Sequence, residues 1–319
     1  MRIVYTCQTT TVRGGLERII VDKANAMASA GHEVCLIVNN SPDCVPAYAT
    51  APGVKVVDLA MKAPHGVLSR LRYKIVQNTR IFRALRHFRP DIVVAAPSWL
   101  TLSMIFGPGR LVLESHSSRG HMFDSEKQSA YKRWKVSAAE RRSECVVTLT
   151  AAEAACWPHA RRTEVIPNYS EMNPPAQAGE RRNAMAIGRL AEVKQFDLLV
   201  DAWRDVTDKH PDASLDIFGD GELRSTLQSQ IERLDLSKNV RLCGATENPA
   251  AEYATHNFLV LSSDYEGFGL VLIEAMRCGC PCVATDCPEG PREIIEDGVD
   301  GILVDYRDRS RDERVALLA

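Results

Sequence analysis

The chain has 319 residues, of which 45% are hydrophobic and 25% are charged, as in an ordinary soluble globular protein with more than one domain. No apolar run approaches the roughly 20 residues that span a bilayer, which argues against a membrane-spanning segment. The net charge of −2 conceals an asymmetry, because residues 1–170 carry 23 Lys and Arg against 13 Asp and Glu, whereas residues 171–319 carry 16 against 28.

The chain opens on an apolar strand pattern, "RIVYTC", without the features of a secretory signal, and its ten cysteines include no C-x2-C pair. We therefore expect reduced thiols and a cytoplasmic protein. The cluster Cys278, Cys280 and Cys282 matches no common zinc spacing, and we expect these side chains to enter a buried strand as small apolar groups.

Short apolar runs alternate with amphipathic stretches along the first half. A helix is predicted at Leu16–Ala30, and the predicted strands are "RIVYT", "EVCLIV", "VKVVDL", "DIVVAA", "LVLES", "CVVTLT" and "TEVIPN". The alternation stops in a proline-rich polar stretch, Asn168–Asn183, which is typical of a linker.

A second alternating set follows the linker. Its predicted helices are Phe196–Lys209, Glu222–Leu234 and "LVLIEAMRCG", and its predicted strands are "NAMAIGRL", "SLDIFGDG", "NVRLCG", "FLVLSS", "PCVATD" and "GILVDY". Strands alternating with helices favour parallel β-α-β units, so we predict two tandem Rossmann-like α/β domains, residues 1–170 and residues 171–319. Ligands in such folds bind beyond the carboxyl ends of the strands, and we expect the site in the interdomain cleft.

One stretch of the second half, "SDYEGFGLVLIEAMRCG", joins a buried strand pattern to an apolar helix pattern. Gly267 and Gly269 allow a ligand to approach the backbone, and the helix N-terminus suits a phosphate. Glu266 in the turn and Glu274 one turn into the helix flank this position, where buried carboxylates need partners. Two glutamates around a phosphate suit a nucleotide-sugar, which has hydroxyls at both ends, although an isolated pair at this spacing is more often merely solvated.

Other predicted strand ends carry matching chemistry. Gly188, Arg189 and Lys194 follow the first strand of the second half, where the two cations can hold a diphosphate and stabilise it as a leaving group. Gly219 follows the next strand. Each turn alone would be an ordinary solvated loop, but their coincidence at one sheet edge favours a binding site.

The motifs "GRL…K", "FGDG", "EGFGLVLIEA" and "CPEGPREII" together resemble the retaining glycosyltransferases of family 4, which have the GT-B fold. Bacterial enzymes that build surface polysaccharides or lipid-linked oligosaccharides are the most similar members. The resemblance implies transfer of a hexose or N-acetylhexosamine from a nucleotide-sugar, with UDP as the expected nucleotide. The acceptor is expected to be a glycan or a lipid-linked molecule, and the anomeric configuration is retained.

The resemblance also assigns residues. It implies that Arg189 and Lys194 bind the donor diphosphate, that Glu266 contacts the donor sugar and that Glu274 contacts the ribose. The backbone amides of the intervening turn are implied to bind sugar and phosphate, namely those of Gly267, Phe268, Gly269 and Leu270.

The first half matches the family more loosely. The stretch "TVRGGLERII" is similar to the family's Gly-Gly loop, which implies that Gly14 and Gly15 approach the phosphates and the acceptor. His116 follows the strand pattern "LVLES", where family members often have a histidine that contacts the donor sugar. A purely structural histidine is the alternative.

The sequence contains no D-x-D metal motif, which argues against the metal-dependent GT-A transferases. We expect no metal or other cofactor, since the nucleotide-sugar is a substrate and its diphosphate is held by cations and a helix end. The family's retention of configuration implies a same-face reaction in which the departing phosphate accepts the acceptor's proton.

The segment Ser69–Pro90 contains seven Arg or Lys and no acidic residue, and a second basic run spans residues 127–142. Helical spacing places four apolar residues on one stripe and three cations opposite, namely Leu71, Ile75, Phe82 and Leu85 against Arg72, Arg80 and Arg83. The simpler interpretation is a helix packed on the sheet with a solvated basic face. The functional interpretation is docking to an anionic membrane that carries a lipid-pyrophosphate acceptor, at the inner face of the cell membrane. Nucleic acid is a weaker alternative because no binding module is recognisable.

Family members usually continue through two or more helices beyond the strand that corresponds to "GILVDY", so the resemblance predicts a shortened C-terminal domain. Two alternatives to an active transferase stay open: a catalytically impaired nucleotide-sugar-binding protein, and a GT-B-shaped nucleotide-sugar epimerase. A Rossmann dehydrogenase is disfavoured because no G-x-G-x-x-G follows the first strand.

Overall fold

The computed structural model describes residues 1–12, 14–40, 44–117, 119–120, 129–175, 182–305 and 307–319, with only the backbone of residues 182 and 183. Four predicted segments lie partly outside these residues: the Gly-Gly stretch at residue 13, the second basic run at 127–128, the linker at 176–181 and the last strand at residue 306. The described chain divides into two compact units, Met1–Pro167 and Asn168–Ala319.

Unit 1 contains a parallel sheet of seven described strands in the order β3-β2-β1-β4-β5-β6-β7. The strands are β1 (Arg2–Thr6), β2 (Glu33–Val38), β3 (Val54–Asp58), β4 (Ile92–Ala95), β5 (Arg110–Glu114), β6 (Cys145–Thr148) and β7 (Thr163–Val165). The strand order reverses between β1 and β4, whose registers pair Ile3 with both Val34 and Ile92. Their carboxyl ends therefore form the switch point at which doubly wound sheets bind ligands.

Helices cover both faces of this sheet. They are α1 (Gly15–Ser29), α2 (Val67–Phe88), α3 (Leu102–Phe106), α4 (Ala130–Arg142) and α5 (Ala151–Ala155). Successive residues of β1 enter opposite cores, since Val4 packs with Ile81 on one face while Ile3 packs with Ile20 on the other. This is why the central strands read as continuous apolar runs in the sequence.

Helix α2 differs from the predicted packing. Leu85 is fully buried as expected, but Leu71, Ile75 and Phe82 are 58%, 59% and 39% exposed. Length explains the exposure of Leu71 and Ile75, because 22 residues of helix span about 33 Å whereas a five-residue strand spans about 17 Å. Phe82 is exposed for another reason, since the buried stripe of α2 consists of Gln77, Ile81, Leu85 and Phe88. The C-terminal half of α2 reaches the core, and its N-terminal half projects an apolar and basic surface into solvent.

Unit 2 contains a parallel sheet of six described strands in the order β10-β9-β8-β11-β12-β13. The strands are β8 (Arg182–Ile187), β9 (Leu215–Phe218), β10 (Val240–Gly244), β11 (His256–Leu261), β12 (Cys282–Thr285) and β13 (Gly301–Val304). The order reverses between β8 and β11, which pair directly through Ala184 and Phe258. The switch point of this unit therefore lies between the turns that follow β8 and β11.

The helices of unit 2 also flank both faces of its sheet. They are α6 (Phe196–Lys209), α7 (Arg224–Arg233), α8 (Pro249–Thr255), α9 (Leu270–Arg277), α10 (Pro291–Ile294) and α11 (Arg311–Leu318). Cys278, Cys280 and Cys282 lie in the core beside α9 and β12, as small buried groups. The predicted fold class of two tandem Rossmann-like domains is confirmed. Across the described residues, no helix combines the length and apolarity that crossing a membrane requires.

Candidate functional site

A short ion pair joins the two turns at the switch point of unit 2. Lys194, at the end of a 3-10 turn that follows β8, donates from Nζ to Oε1 of Glu266 at 2.6 Å. Ser263, two residues after β11, donates from Oγ to the same oxygen at 2.6 Å. The side chains of Lys194 and Glu266 are only 20% and 12% exposed. The structure therefore brings together two predicted site residues that lie 72 positions apart in the sequence.

The backbone fixes these two turns against each other. The amide of Asp264 donates to the carbonyl of Val193 at 2.9 Å, and the hydroxyl of Ser262 donates to the carbonyl of Lys194 at 2.8 Å. Because both links lie beside the ion pair, the carboxylate of Glu266 is positioned before any ligand arrives.

Arg189 lies in the same turn as Lys194 but in a different environment. Its side chain is exposed and forms no hydrogen bond or ion pair with any residue that the structure describes. The sequence analysis gave both cations the same role. In the structure Lys194 is neutralised by Glu266, whereas the charge of Arg189 is available for a phosphate.

Helix α9 begins directly after the Gly-Phe-Gly turn. Gly269 precedes it with φ of 97°, a left-handed conformation that favours glycine, and no side chain caps the helix. Its first amides are thus not covered by a capping side chain. Phe268 is 7% exposed and buries its ring, so it can offer a ligand only its backbone, while Gly267 and Leu270 are half-buried.

Glu274 accepts a hydrogen bond from a residue that the sequence analysis missed. It is 9% exposed on α9, and the hydroxyl of Tyr253, on α8, donates to its Oε2 at 3.2 Å. Burial and the charge of Glu274 raise the pKa of Tyr253 well above its ordinary value, so the phenol stays protonated and remains a donor. The stretch "AAEYATH" gives no sign of this partnership.

Gly188 and Gly219 lie where two backbones meet. Gly219 has φ of +135°, and a Cβ on it would collide with the carbonyl oxygen of Gly188. The amide of Gly188 also donates to the carbonyl of Phe218 at 2.9 Å. Gly219 thus has a packing requirement of its own, which the sequence analysis did not foresee, and its contact with a donor stays a prediction.

In unit 1, His116 belongs to a buried three-residue chain after β5. Its Nε2 lies 3.2 Å from Oε2 of Glu114, whose Oε1 accepts from Nζ of Lys23, on α1, at 3.0 Å. Burial raises the pKa of Glu114, but the hydrogen bond from His116 and the charge of Lys23 outweigh it, so this pKa is lowered. The ionised carboxylate accepts from Nε2–H, and Nδ1 of His116 is buried and has no hydrogen-bond partner among the described residues.

The Gly-Gly loop of unit 1 is described from Gly14 onwards. Gly14 precedes α1 in an extended conformation, Gly15 is the first helical residue, and no side chain caps the helix. The carboxylate of Glu17 lies over Gly14, and the hydroxyl of Tyr48 donates to the Gly14 carbonyl at 3.2 Å. An anion that approached this helix end would meet the charge of Glu17.

A groove of about 950 Å³ lies elsewhere in unit 2, at the amino ends of β11, β12 and β13. Asn257, Pro281 and Ile302 contribute to its lining, which includes none of the predicted site residues. The predicted residues lie at the opposite edge of the sheet, where ligands of doubly wound folds bind.

Two family models match the chain. Residues 14–168 match the glycosyl transferase 4-like domain, and residues 170–315 match glycosyl transferases group 1. An uncharacterized glycosyltransferase of Methanocaldococcus jannaschii is 29% identical over 253 residues, which are 70% of this chain and 62% of that protein.

Two further proteins are informative. A Campylobacter jejuni N-acetylgalactosaminyltransferase, named for a diphospho-undecaprenol-linked acceptor, is 36% identical over 121 residues, which are 38% of this chain and 32% of the relative. A crystal structure of S. aureus TarM, a mutant in complex with fondaparinux, α-GlcNAc-glycerol and UDP, aligns with a TM-score of 0.80 at 15% identity, over 99% of this chain and 92% of that one. The chain thus spans less than two thirds of both sequence relatives, and the structural likeness shows the GT-B fold. With a 4-like domain in its first half and a group 1 domain in its second, the chain belongs to the GT-B glycosyltransferases.

Proposed function

We propose that the protein is a retaining glycosyltransferase that moves a hexose or N-acetylhexosamine from a UDP-sugar to a glycan or lipid-linked acceptor. The observation that carries the proposal is the contact between Lys194 and Glu266 at the switch point of unit 2, beside exposed Arg189 and the start of α9. The UDP in the TarM complex and the diphospho-undecaprenol in the name of the C. jejuni relative support the choice of nucleotide and acceptor.

Each residue of the turn takes a separate role. Arg189 and the first amides of α9 bind the diphosphate, since both offer positive charge and donors without a capping side chain. Glu274, held by Tyr253, accepts hydrogen bonds from the ribose hydroxyls. Glu266 accepts from hydroxyls of the donor sugar, and Lys194 keeps that carboxylate oriented.

Transfer is proposed to proceed on one face of the sugar. The bond between the anomeric carbon and the diphosphate oxygen breaks while the acceptor hydroxyl forms the new glycosidic bond, and the departing phosphate oxygen takes the hydroxyl proton. Arg189 stabilises the charge that accumulates on the diphosphate, so its effect is greatest in the transition state. His116 is proposed to contact the donor sugar through Nδ1, which is buried and has no hydrogen-bond partner among the described residues.

The decisive experiment screens UDP-sugars for stabilisation of the purified chain and then assays transfer with the donor that raises Tm most. Proton NMR of the first product should show the donor's anomeric configuration. An inverted product would remove the retaining mechanism, and a UDP-sugar that binds without transfer or hydrolysis would favour the impaired-binding alternative.

We also propose that unit 1 docks on an anionic membrane surface through the N-terminal half of α2. Val67, Leu68, Leu71 and Ile75 are all more than half exposed there, and Arg70, Arg72 and Lys74 are interspersed with them. A helix that presents apolar and cationic side chains together suits the interface of an anionic bilayer.

A further inference from the structure

A pocket of about 230 Å³ lies in unit 1, between α2, the start of α4 and the segment that joins β4 to α3. Lysines from both long helices line it, namely Lys74, Lys132 and Lys135, together with Gln77 and Tyr131. Among the described residues that line it, none is a carboxylate and none belongs to the donor turns. The pocket is too small for a nucleotide-sugar, since sites for drug-sized ligands occupy about 300–1,000 Å³.

Two of the lysines converge on one aromatic ring. Nζ of Lys74 and Nζ of Lys135 lie 5.4 Å and 5.8 Å from the centroid of Tyr131. Lys135 is fixed further because its ammonium donates to the carbonyl of Leu100. Neither Lys74 nor Lys135 forms an ion pair with a carboxylate in the part of the chain that the structure describes.

Holding these ammonium groups together is unfavourable without an anion. Burial lowers the pKa of Lys135, and repulsion from Lys74 and Lys132 lowers it further. Like charges placed this close in a partly desolvated pocket repel each other, and a bound anion would relieve that repulsion.

Gln77 adds a neutral hydrogen-bonding group to the same pocket. The residue is 8% exposed, and its side-chain amide has two N–H donors. A ligand with several oxygen acceptors would bind the amide and both lysines together.

We propose that this pocket binds a phosphate or diphosphate group, as a second anion site distinct from the donor turns. Phosphoryl oxygens match the ammonium and amide donors that line the pocket, and the charge complements Lys74 and Lys135. The inference does not depend on the assignment of the donor site. Exposed apolar side chains lie beside the pocket, since Leu71 is one turn before Lys74 and Trp134 stacks on Tyr131 with ring centroids 6.0 Å apart. A lipid-linked diphosphate is therefore one natural source of the group, and a soluble phosphate compound is the other.

Titration calorimetry of the full chain with inorganic pyrophosphate tests the site, with UDP present at saturation so that the donor turns do not compete. Saturable binding is expected, and Lys74→Gln and Lys135→Gln should each weaken it by roughly tenfold. The matched control is Arg142→Gln, which removes one charge from the exposed last turn of α4, outside the pocket. It should leave pyrophosphate affinity within about twofold of the parent.

Flotation with vesicles distinguishes the two sources. The vesicles are phosphatidylcholine with a few per cent of a polyprenyl diphosphate. If the phosphate group belongs to a lipid, they should recruit the parent but not Lys135→Gln. If it belongs to a soluble compound, they should recruit neither protein. Lys74→Gln changes an exposed side chain, and an unchanged Tm would confirm that this variant folds. The proposal would be overturned if the parent neither bound pyrophosphate in the calorimeter nor was recruited by the doped vesicles. It would also be overturned if Arg142→Gln lost as much pyrophosphate affinity as the pocket variants.

Discussion

Two groups of cations, one in each unit, are arranged in opposite ways. In unit 2, Lys194 is held at 2.6 Å by the carboxylate of Glu266, and Arg241 pairs with Asp216. In unit 1, Lys74 and Lys135 converge on one tyrosine and form no ion pair with a described carboxylate. A paired cation contributes orientation, whereas an unpaired cation contributes net charge for a ligand. We therefore expect mutation of the paired cations of unit 2 to affect geometry and catalysis. Mutation of Lys74 or Lys135 in unit 1 should affect the attraction of anions.

The largest effect is expected when the unit 2 ion pair is broken. Lys194→Ala leaves a carboxylate that is 12% exposed without its cation, and should lower kcat by roughly 10²–10³-fold. Its affinity for uridine should change little. Lys209→Ala, in the exposed last turn of α6, is the control. Equal losses of affinity for uridine and for the UDP-sugar would contradict a role at the donor sugar.

A second ion pair of unit 2, formed by buried Asp216 and exposed Arg241, tests pairing away from the proposed chemistry. Asp216 is 5% exposed and accepts from Arg241 and from Nε2 of fully buried His256. Asp216→Asn should lower the free energy of unfolding at pH 7 by about 2 kcal/mol, the scale of a hydrogen bond to a charged group.

The stability difference between Asp216→Asn and the parent should depend on pH. Burial raises the pKa of Asp216, but the hydrogen bonds from His256 and Arg241 outweigh it and hold this pKa below its ordinary value. The stabilisation is thus complete above the unfolded pKa of about 3.9 and is lost as pH falls through the folded pKa. Urea unfolding should show a smaller difference between variant and parent at pH 3 than at pH 7, while exposed Asp208→Asn should differ little at either pH. A difference independent of pH would contradict an ionised, paired Asp216.

A smaller effect is expected when the Tyr253 hydroxyl, which donates to Glu274, is removed. Tyr253→Phe should weaken UDP binding about fivefold, because Glu274 loses a donor that orients it. Affinity for 2′-deoxy-UDP should fall less, since that ligand lacks one of the hydroxyls that Glu274 is proposed to bind. If both nucleotides lose affinity equally, Tyr253 supports the fold of unit 2 rather than the position of Glu274.

The smallest effect concerns the surface of α2. Arg72→Gln should weaken binding to anionic vesicles by at most about 1 kcal/mol, and salt should weaken binding of the parent in the same direction. Leu71→Ser with Ile75→Ser should weaken it through lost apolar contact, which salt does not screen. Donor affinity should be unchanged in both variants. Binding to vesicles that matches the parent in both cases would remove α2 as the docking surface.

The sequence predicted the strands because buried parallel strands are short, continuous and apolar, and turns follow them at regular intervals. It also placed Glu266 and Lys194 in turns at one sheet edge, since the carboxyl ends of parallel strands share that edge. It failed at α2, where periodicity identified an apolar stripe but could not show that the helix extends beyond the sheet. Tyr253 was missed because a contact between neighbouring helices leaves no local pattern, whereas Glu114, two residues before His116 at a strand end, was a signal that could have been used.

The close approach of Gly219 to Gly188 bears on how mutational surveys of this protein should be interpreted. A methyl group at position 219 has no space, because the carbonyl of Gly188 already occupies it. A saturation library at this position would therefore report almost entirely on whether two backbone turns can still meet. Loss of activity there would resemble the loss of a ligand contact, and only a parallel readout of protein abundance would separate the two. Attempts to alter donor preference should therefore leave position 219 as glycine and vary side chains that face solvent.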